Sequence, residues 1–191
     1  MTRCYWTQTY SGRKVRLDEP TPDMIDMGDI AHHLALLNRF VGATRQPYSV
    51  AEHSLHVCDY LIELYPDDRE LALYGLLHDA HEAYLGELIS PAKWQMRAEA
   101  GVDAYEALAE RLDKAIFQAA GLPPAMSPRI ALAVADADAV MLATEARDLM
   151  SPHPDDWGLK AVPWRYVNVS DPFTWGDART RWLALFKELM V

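Results

Sequence analysis

Cysteine is almost missing from this chain: 191 residues hold two, Cys4 and Cys58. That is too few for a disulfide framework, and Cys58 lies in an apolar helical pattern where a buried, structural thiol is expected. Long apolar runs are missing too. None approaches the roughly 20 residues that a membrane-spanning helix needs, and the opening Met1-Thr2-Arg3-Cys4-Tyr5-Trp6 has no apolar signal stretch. No membrane partner and a cytoplasmic location are therefore expected. Basic residues are scarce, with 18 Lys and Arg against 28 Asp and Glu and a formal charge of −10. This balance argues against a nucleic-acid polymer as partner, because such binding relies on basic clusters that release counterions from phosphates. An acidic protein that handles a small phosphorylated ligand must neutralise it locally, with a few arginines or lysines, a bound cation, or both. Repeats, low-complexity tracts and linkers are also lacking.

What is present is an ordinary globular composition, 50% hydrophobic and 24% charged, in a chain long enough for one good core. The patterning predicts an all-α, single-domain helical bundle over residues 1–191, with a short extended N-terminal segment (residues 1–25) and an irregular loop over 151–176. Tyr5 to Tyr10, the turn dipeptide Ser11-Gly12 and the alternation Lys14 to Leu17 suggest a small hairpin. Ile30, Leu34, Leu37 and Val41 share a helical face, predicting a helix from Asp26 to Phe40 that stops at Gly42. Ser49 and Glu52 fit a reciprocal capping box at the head of a second helix running to about Tyr65. After Pro66, with Asp67 or Asp68 as cap, Leu71, Tyr74, Leu77 and His78 predict a third helix to Gly86. Pro91 then interrupts. A helix from about Glu99 to Ala120, closed by Gly121, is followed by one from Ser127-Pro128 to Met150 and a last one over Asp177 to Met190.

Four of the seven histidines fall in two close pairs, His53/His56 and His78/His81, on consecutive expected helices. His78 is followed at once by Asp79 within Leu76-Leu77-His78-Asp79-Ala80, where polar side chains beside buried leucines are costly unless something satisfies them. A divalent metal would do so. His53, His78, Asp79 and Asp138, the last in the apolar stretch Val134 to Val140, supply imidazole nitrogens and carboxylate oxygens from different helices. Glu82 lies one turn beyond His78, where its carboxyl can reach water or a leaving oxygen.

In order and in flanking words, Tyr48-Ser49-Val50-Ala51-Glu52-His53-Ser54, His78-Asp79-Ala80-His81-Glu82-Ala83 and the later Asp138 resemble the signature of the HD-domain metal-dependent phosphohydrolases. The likeness covers roughly residues 29 to 150 and is nearest to the branch of bacterial 5′-deoxynucleotidases and phage dATP triphosphohydrolases. The resemblance implies that His53, His78, Asp79 and Asp138 hold one divalent transition metal (Co, Mn, Zn or Fe), with Asp136 as the alternative last ligand. Asp138 is preferred because its seven-residue spacing to Glu145 matches the phage and prophage relatives. It also implies that Glu82 is catalytic, with Glu87 as a second catalytic candidate where the family usually has Asp. Arg39 and Lys93 correspond to phosphate contacts. Phe40 stands where part of the family has Trp, shaping a sugar pocket that an added 2′-hydroxyl would not fit. The implied activity is hydrolysis of a deoxynucleotide, either a monophosphate or a triphosphate, by a homodimer or higher homo-oligomer.

Taken singly, the remaining candidates have ordinary readings. His81 fits a solvent or structural role, His56 is open between core and site, and His32 and His33 fit a helix surface or core as well as a site. His153 fits loop surface, and Arg45 a solvated loop. Trp157, Trp164 and Trp175 suit packing of the loop or a subunit contact better than a base. Two other classes stay open: a non-catalytic nucleotide-sensing module, and a di-iron oxygenase, which would require a second set of histidine ligands.

Overall fold

The computed structural model describes residues 5–155 and 157–191, so Cys4 lies outside the described residues. Among the described residues the fold is all-α apart from one hairpin. Strand β1 (Trp6–Gln8) pairs antiparallel with β2 (Lys14–Arg16), Trp6 opposite Arg16. This arm is anchored to the helices. Asp29 accepts the Ser11 amide at 2.8 Å and the Ser11 hydroxyl at 2.7 Å, and Val15 is fully buried.

Helix α1 (Met27–Leu36) is capped by Asp26, which accepts the Gly28 and Asp29 amides. It ends four residues before the expected Phe40, although Leu37 fits the helical period. Leu37 turns extended, its carbonyl accepts the Val50 amide at 3.0 Å, and the Arg39 amide donates to the Tyr48 carbonyl at 2.9 Å. Pairing with a distant segment thus replaces the last helical turn. The chain then makes a tight 3-10 turn, Arg39–Gly42, in which Phe40 (φ 57°) and Val41 (φ 54°) are left-handed, a conformation that costs a side-chain-bearing residue roughly 1–2 kcal/mol.

Helix α2 (Val50–Leu64) is capped by Ser49, which accepts the Glu52 amide at 3.1 Å. The expected reciprocal half of the box is replaced: the Glu52 carboxylate accepts the Phe173 amide at 2.9 Å and ties the late loop to α2. Asp68 caps α3 (Arg69–Leu77). The third helix does not continue to Gly86 as its period suggested. It breaks at His78, and after a turn the short α4 (Glu82–Leu85) begins. Pro91 starts a helix rather than interrupting one, sitting in the first turn of α5 (Ser90–Ala100), where its missing amide costs nothing. Left-handed Gly101 closes α5, so the expected Glu99–Ala120 helix is shortened to α6 (Ala104–Ala119), capped by Asp103. Helix α7 (Pro128–Leu149) has Ser127 as cap, and α8 (Trp175–Leu189) has Thr174, two residues ahead of expectation.

Helix α2 packs against α1, α3, α7 and α8, and its Leu55, Val57, Cys58 and Leu61 meet Leu71, Tyr74, Leu76 and Leu77 of α3 in the core. Gly75 allows the close approach, because a β-carbon there would collide with the Leu61 side chain. Burial raises the Cys58 thiol well above its usual pKa, which suits the structural role expected for it. The loop after α7 is held down by Arg147, which donates to the Trp164 carbonyl at 3.1 Å and the Val167 carbonyl at 2.8 Å. Among the described residues no helix is long and apolar enough to cross a membrane.

Candidate metal centre

Helix α2 contributes His53, the break after α3 contributes His78 and Asp79, and the middle of α7 contributes Asp138. The structure brings these four together. His53 Nε2 lies 3.2 Å from His78 Nε2, 3.1 Å from Asp138 Oδ1 and 3.7 Å from Asp79 Oδ2. His78 Nε2 lies 3.1 Å from the same Asp79 oxygen. Asp136, the alternative last ligand, is exposed two residues away. The Asp138 side chain is 44% exposed, so the cluster opens toward solvent on the α7 side.

The hydrogen-bond directions decide what such a cluster can hold. His78 Nδ1 bonds the Gly75 carbonyl at 2.8 Å, an acceptor only, so this nitrogen carries the hydrogen. His53 Nδ1 likewise donates to Glu145 Oε1 at 2.6 Å. In the neutral rings both Nε2 lone pairs then point inward, toward each other and toward two carboxylate oxygens. Electron-pair donors facing one another in this way repel unless a proton or a metal cation lies between them, and the four could hold an ion. An imidazole whose outward N–H is fixed by a carboxylate or carbonyl is the usual way a protein orients a metal-binding histidine. Two nitrogens and two carboxylate oxygens suit a divalent transition ion, so the donor set fits such a group.

Without a metal, protons do part of the neutralising. Burial works against a charged His78, but Asp79 and Asp138 outweigh it and raise the imidazole to about 9. Burial would push the Asp79 carboxyl up, yet His78, His53 and Arg39 hold it well below the usual range. Glu82 goes the other way: burial, then the neighbouring Asp79 charge, push its carboxyl up to about 9. It is only 3% exposed, and its Oε2 has no hydrogen-bond partner.

Arg39, Phe40, Glu87 and Lys93 surround the cluster in different ways. Arg39 Nε donates to Glu145 Oε2 at 3.0 Å, and Nη1 is 3.6 Å from Asp79 Oδ2. The guanidinium therefore braces the carboxylates around the histidines. Glu87 accepts the Phe40 amide at 3.2 Å and the Val41 amide at 3.5 Å, holding the left-handed turn that presents the Phe40 ring beside Trp157, 6.1 Å between centroids. The Lys93 ammonium lies over the Tyr105 ring, 4.7 Å from its centroid.

The other histidines find local partners. His33 Nδ1 donates to the Ala83 carbonyl at 2.6 Å while Nε2 accepts the Tyr10 amide. His32 stacks on Tyr10, with Trp175 at its edge. His56 lies against Phe173, 3.8 Å from Glu52, and His153 accepts the Asp155 amide. His81 bonds Asp113 at 3.1 Å. Arg45 donates to the Asp148 and Met150 carbonyls at the end of α7, and Trp164 packs its edge on Tyr60.

Sequence reasoning assigned no role to Glu145 or Asp113. Glu145 was legible as a carboxylate in an apolar stretch two helical turns from Asp138. Asp113 sits on an amphipathic helix among other charges and gave no signal.

No family model matches the chain. An uncharacterized protein of Rhodobacter capsulatus is 40% identical over 147 residues, 75% of this chain and 72% of its own length. The uncharacterized protein YfdR of Escherichia coli K12 is 32% identical over 183 residues, 95% of this chain and 94% of its own. Because the similarity to YfdR runs nearly end to end of this chain and of YfdR, the chain belongs to the same protein family as YfdR.

Proposed function

We propose that this chain is a cation-dependent phosphohydrolase of the HD type that acts on a deoxynucleotide. The reading is carried by the convergence of His53, His78, Asp79 and Asp138 as inward-facing electron-pair donors beside a buried carboxyl, Glu82. It draws further support from the motif resemblance of these residues. A divalent ion on this set supplies Lewis acidity, polarising a phosphoryl oxygen and lowering the pKa of water. Glu82 exchanges a proton with water or with the leaving oxygen. Arg39 sits at the cluster with Nε and Nη1 turned to Glu145 and Asp79, which leaves Nη2 for a phosphate oxygen. Lys93 adds positive charge on the Glu82 side, where it is among the charges acting on that carboxyl. Phe40 offers an apolar face against C2′ of the sugar, where a ribose hydroxyl would need room and a partner. The ligand is a small phosphate compound rather than a polymer, in keeping with the charge of −10.

The test is a chromatographic and phosphate-release screen of the purified protein, with added Mn²⁺ or Co²⁺, against deoxynucleoside mono- and triphosphates and their ribose counterparts. Inorganic phosphate from deoxymonophosphates identifies a 5′-deoxynucleotidase, and inorganic triphosphate from dATP a triphosphohydrolase. Equal turnover of ribose substrates would refute the role of Phe40. No product anywhere in the panel would refute the catalytic reading and favour a sensing module.

A further inference from the structure

We propose that His33 is a positioning residue for Glu82: it carries a hydrogen-bond relay from the N-terminal hairpin to the short helix on which Glu82 stands. The purpose of the relay rests on the phosphohydrolase reading, and its existence on geometry outside the metal centre.

Glu82 does not hold itself in place. Its buried Oε2 has no hydrogen-bond partner, so the carboxyl goes where the backbone of α4 carries it. That helix is four residues long, too short to be stable by itself, and the carbonyls at its end have no intrahelical amide to bind. Side chains from other elements take them. Tyr105 Oη donates to the Gly86 carbonyl at 3.2 Å, and His33 Nδ1 donates to the Ala83 carbonyl at 2.6 Å. Packing does little on the His33 side, where an open cavity of about 460 Å³ is lined by Thr9, Tyr10, His33, Ala83 and Glu82, among others. The bond to Ala83 therefore sets where α4 lies against α1.

The hairpin decides which nitrogen of His33 makes that bond. Tyr10 lies in the turn between β1 and β2, beyond the paired residues, so its amide is left over from the ladder and meets His33 Nε2 at 3.0 Å. A backbone amide can only donate. Nε2 must accept, the hydrogen sits on Nδ1, and Nδ1 is the nitrogen turned to Ala83. The turn is itself fixed on α1, because Asp29 accepts the Ser11 amide and hydroxyl. The arm thus selects the tautomer that pins the residue next to Glu82.

The experiment compares His33→Ala, His33→Asn and His33→Gln in the full chain with Mn²⁺. It uses steady-state kinetics on a deoxynucleotide that the wild type turns over, together with hydrogen–deuterium exchange across residues 82–86. The Asn amide nitrogen can stand where Nδ1 stands and donate to Ala83, whereas the longer Gln amide reaches toward Tyr10 instead. His33→Ala is expected to lower kcat about 10–100-fold, the scale of a misplaced catalytic group, with KM and Mn²⁺ affinity unchanged and faster exchange in α4. His33→Asn is expected to restore both kcat and exchange, and His33→Gln neither. An unchanged kcat in His33→Ala, or equal recovery with Asn and Gln, overturns the inference and leaves the phosphohydrolase reading standing. Nitrogen-15 NMR that places the hydrogen of neutral His33 on Nε2 also overturns it. A wild type that turns over no deoxynucleotide overturns the phosphohydrolase reading instead, and exchange then decides on the relay: unaltered exchange in His33→Ala refutes it.

Discussion

Replacing Glu145 by Gln changes no volume and removes one charge, yet it should disable the centre. The carboxylate is fully buried and accepts on both oxygens, from His53 Nδ1 at 2.6 Å and Arg39 Nε at 3.0 Å. A carboxamide has one accepting oxygen and one donating nitrogen, so one of the two contacts becomes donor against donor. If the oxygen stays on Arg39, His53 is driven to the other tautomer, and its Nε2 hydrogen points at the position between the inward-facing donors. If it stays on His53, a buried guanidinium loses its closest counter-charge and is left with Asp79 at 3.6 Å and the more distant Asp138. A partner left unsatisfied in this way costs about 1–3 kcal/mol, and for a domain of this size roughly 2 kcal/mol corresponds to a fall of about 4–8 °C in melting temperature. The loss of a carboxylate behind a metal-binding histidine weakens the metal by about 10–100-fold. Calorimetric titration of chelator-stripped protein with Mn²⁺, alongside thermal denaturation, reads both effects. An unchanged affinity together with an unchanged melting temperature would refute the claim that Glu145 orients His53.

Three more perturbations follow from the same geometry. Glu82 has a carboxyl raised by burial and by Asp79 to about 9, so the metal-free fold gains stability from its proton below the unfolded pKa near 4.3 and loses it as pH rises toward 9, by up to about 1.4 kcal/mol per pH unit. Glu82→Gln should therefore flatten the fall in melting temperature of chelator-treated protein between pH 5 and 9, and parallel curves for variant and wild type would contradict this. Asp29 behaves oppositely. Burial opposes its charge, but hydrogen bonds from Thr9 and Ser11 win and lower its pKa, so its contribution is present above about pH 3.9 and disappears as pH falls through the lower folded value. Asp29→Asn should cost about 1 kcal/mol in urea denaturation at pH 7 and a diminishing amount below pH 4; an equal cost at both would be the wrong sign. Val41→Gly should stabilise the protein by about 0.5–1 kcal/mol in the same assay, because Val41 is left-handed and exposed and glycine has no β-carbon to strain. A loss of stability would show that the turn is held by side-chain packing.

Local chemistry made much of the fold legible. Ser49, Ser127 and one of the Asp67/Asp68 pair announced helix starts that the backbone makes. The errors lie where distant partners outbid local preference. Leu37 has helical spacing, but its backbone pairs with the chain entering α2, 13 residues on, and Glu52 serves Phe173, 121 residues away, instead of its own cap. Pro91 carries two meanings in sequence, stop and start, and only the following turn distinguishes them. At the site, residue type and order pointed to His53, His78, Asp79 and Asp138, which the fold brings together. The Arg39–Glu145 brace and the Glu87 hold on Phe40 join side chains from separate elements to partners that no periodicity connects. The position of His78 and Asp79 at a helix break, rather than inside a helix, also needed the fold. That break turns Asp79, His81 and Glu82 toward one another.

The central claim is that the inward-facing donors hold a metal, and the most direct measurement is anomalous X-ray scattering at the Mn edge from crystals grown with Mn²⁺. The account predicts a strong peak about 2.0–2.3 Å from His53 Nε2, His78 Nε2 and oxygens of Asp79 and Asp138. A map without that peak, with His53 Nε2 still 3.2 Å from His78 Nε2, would contradict it.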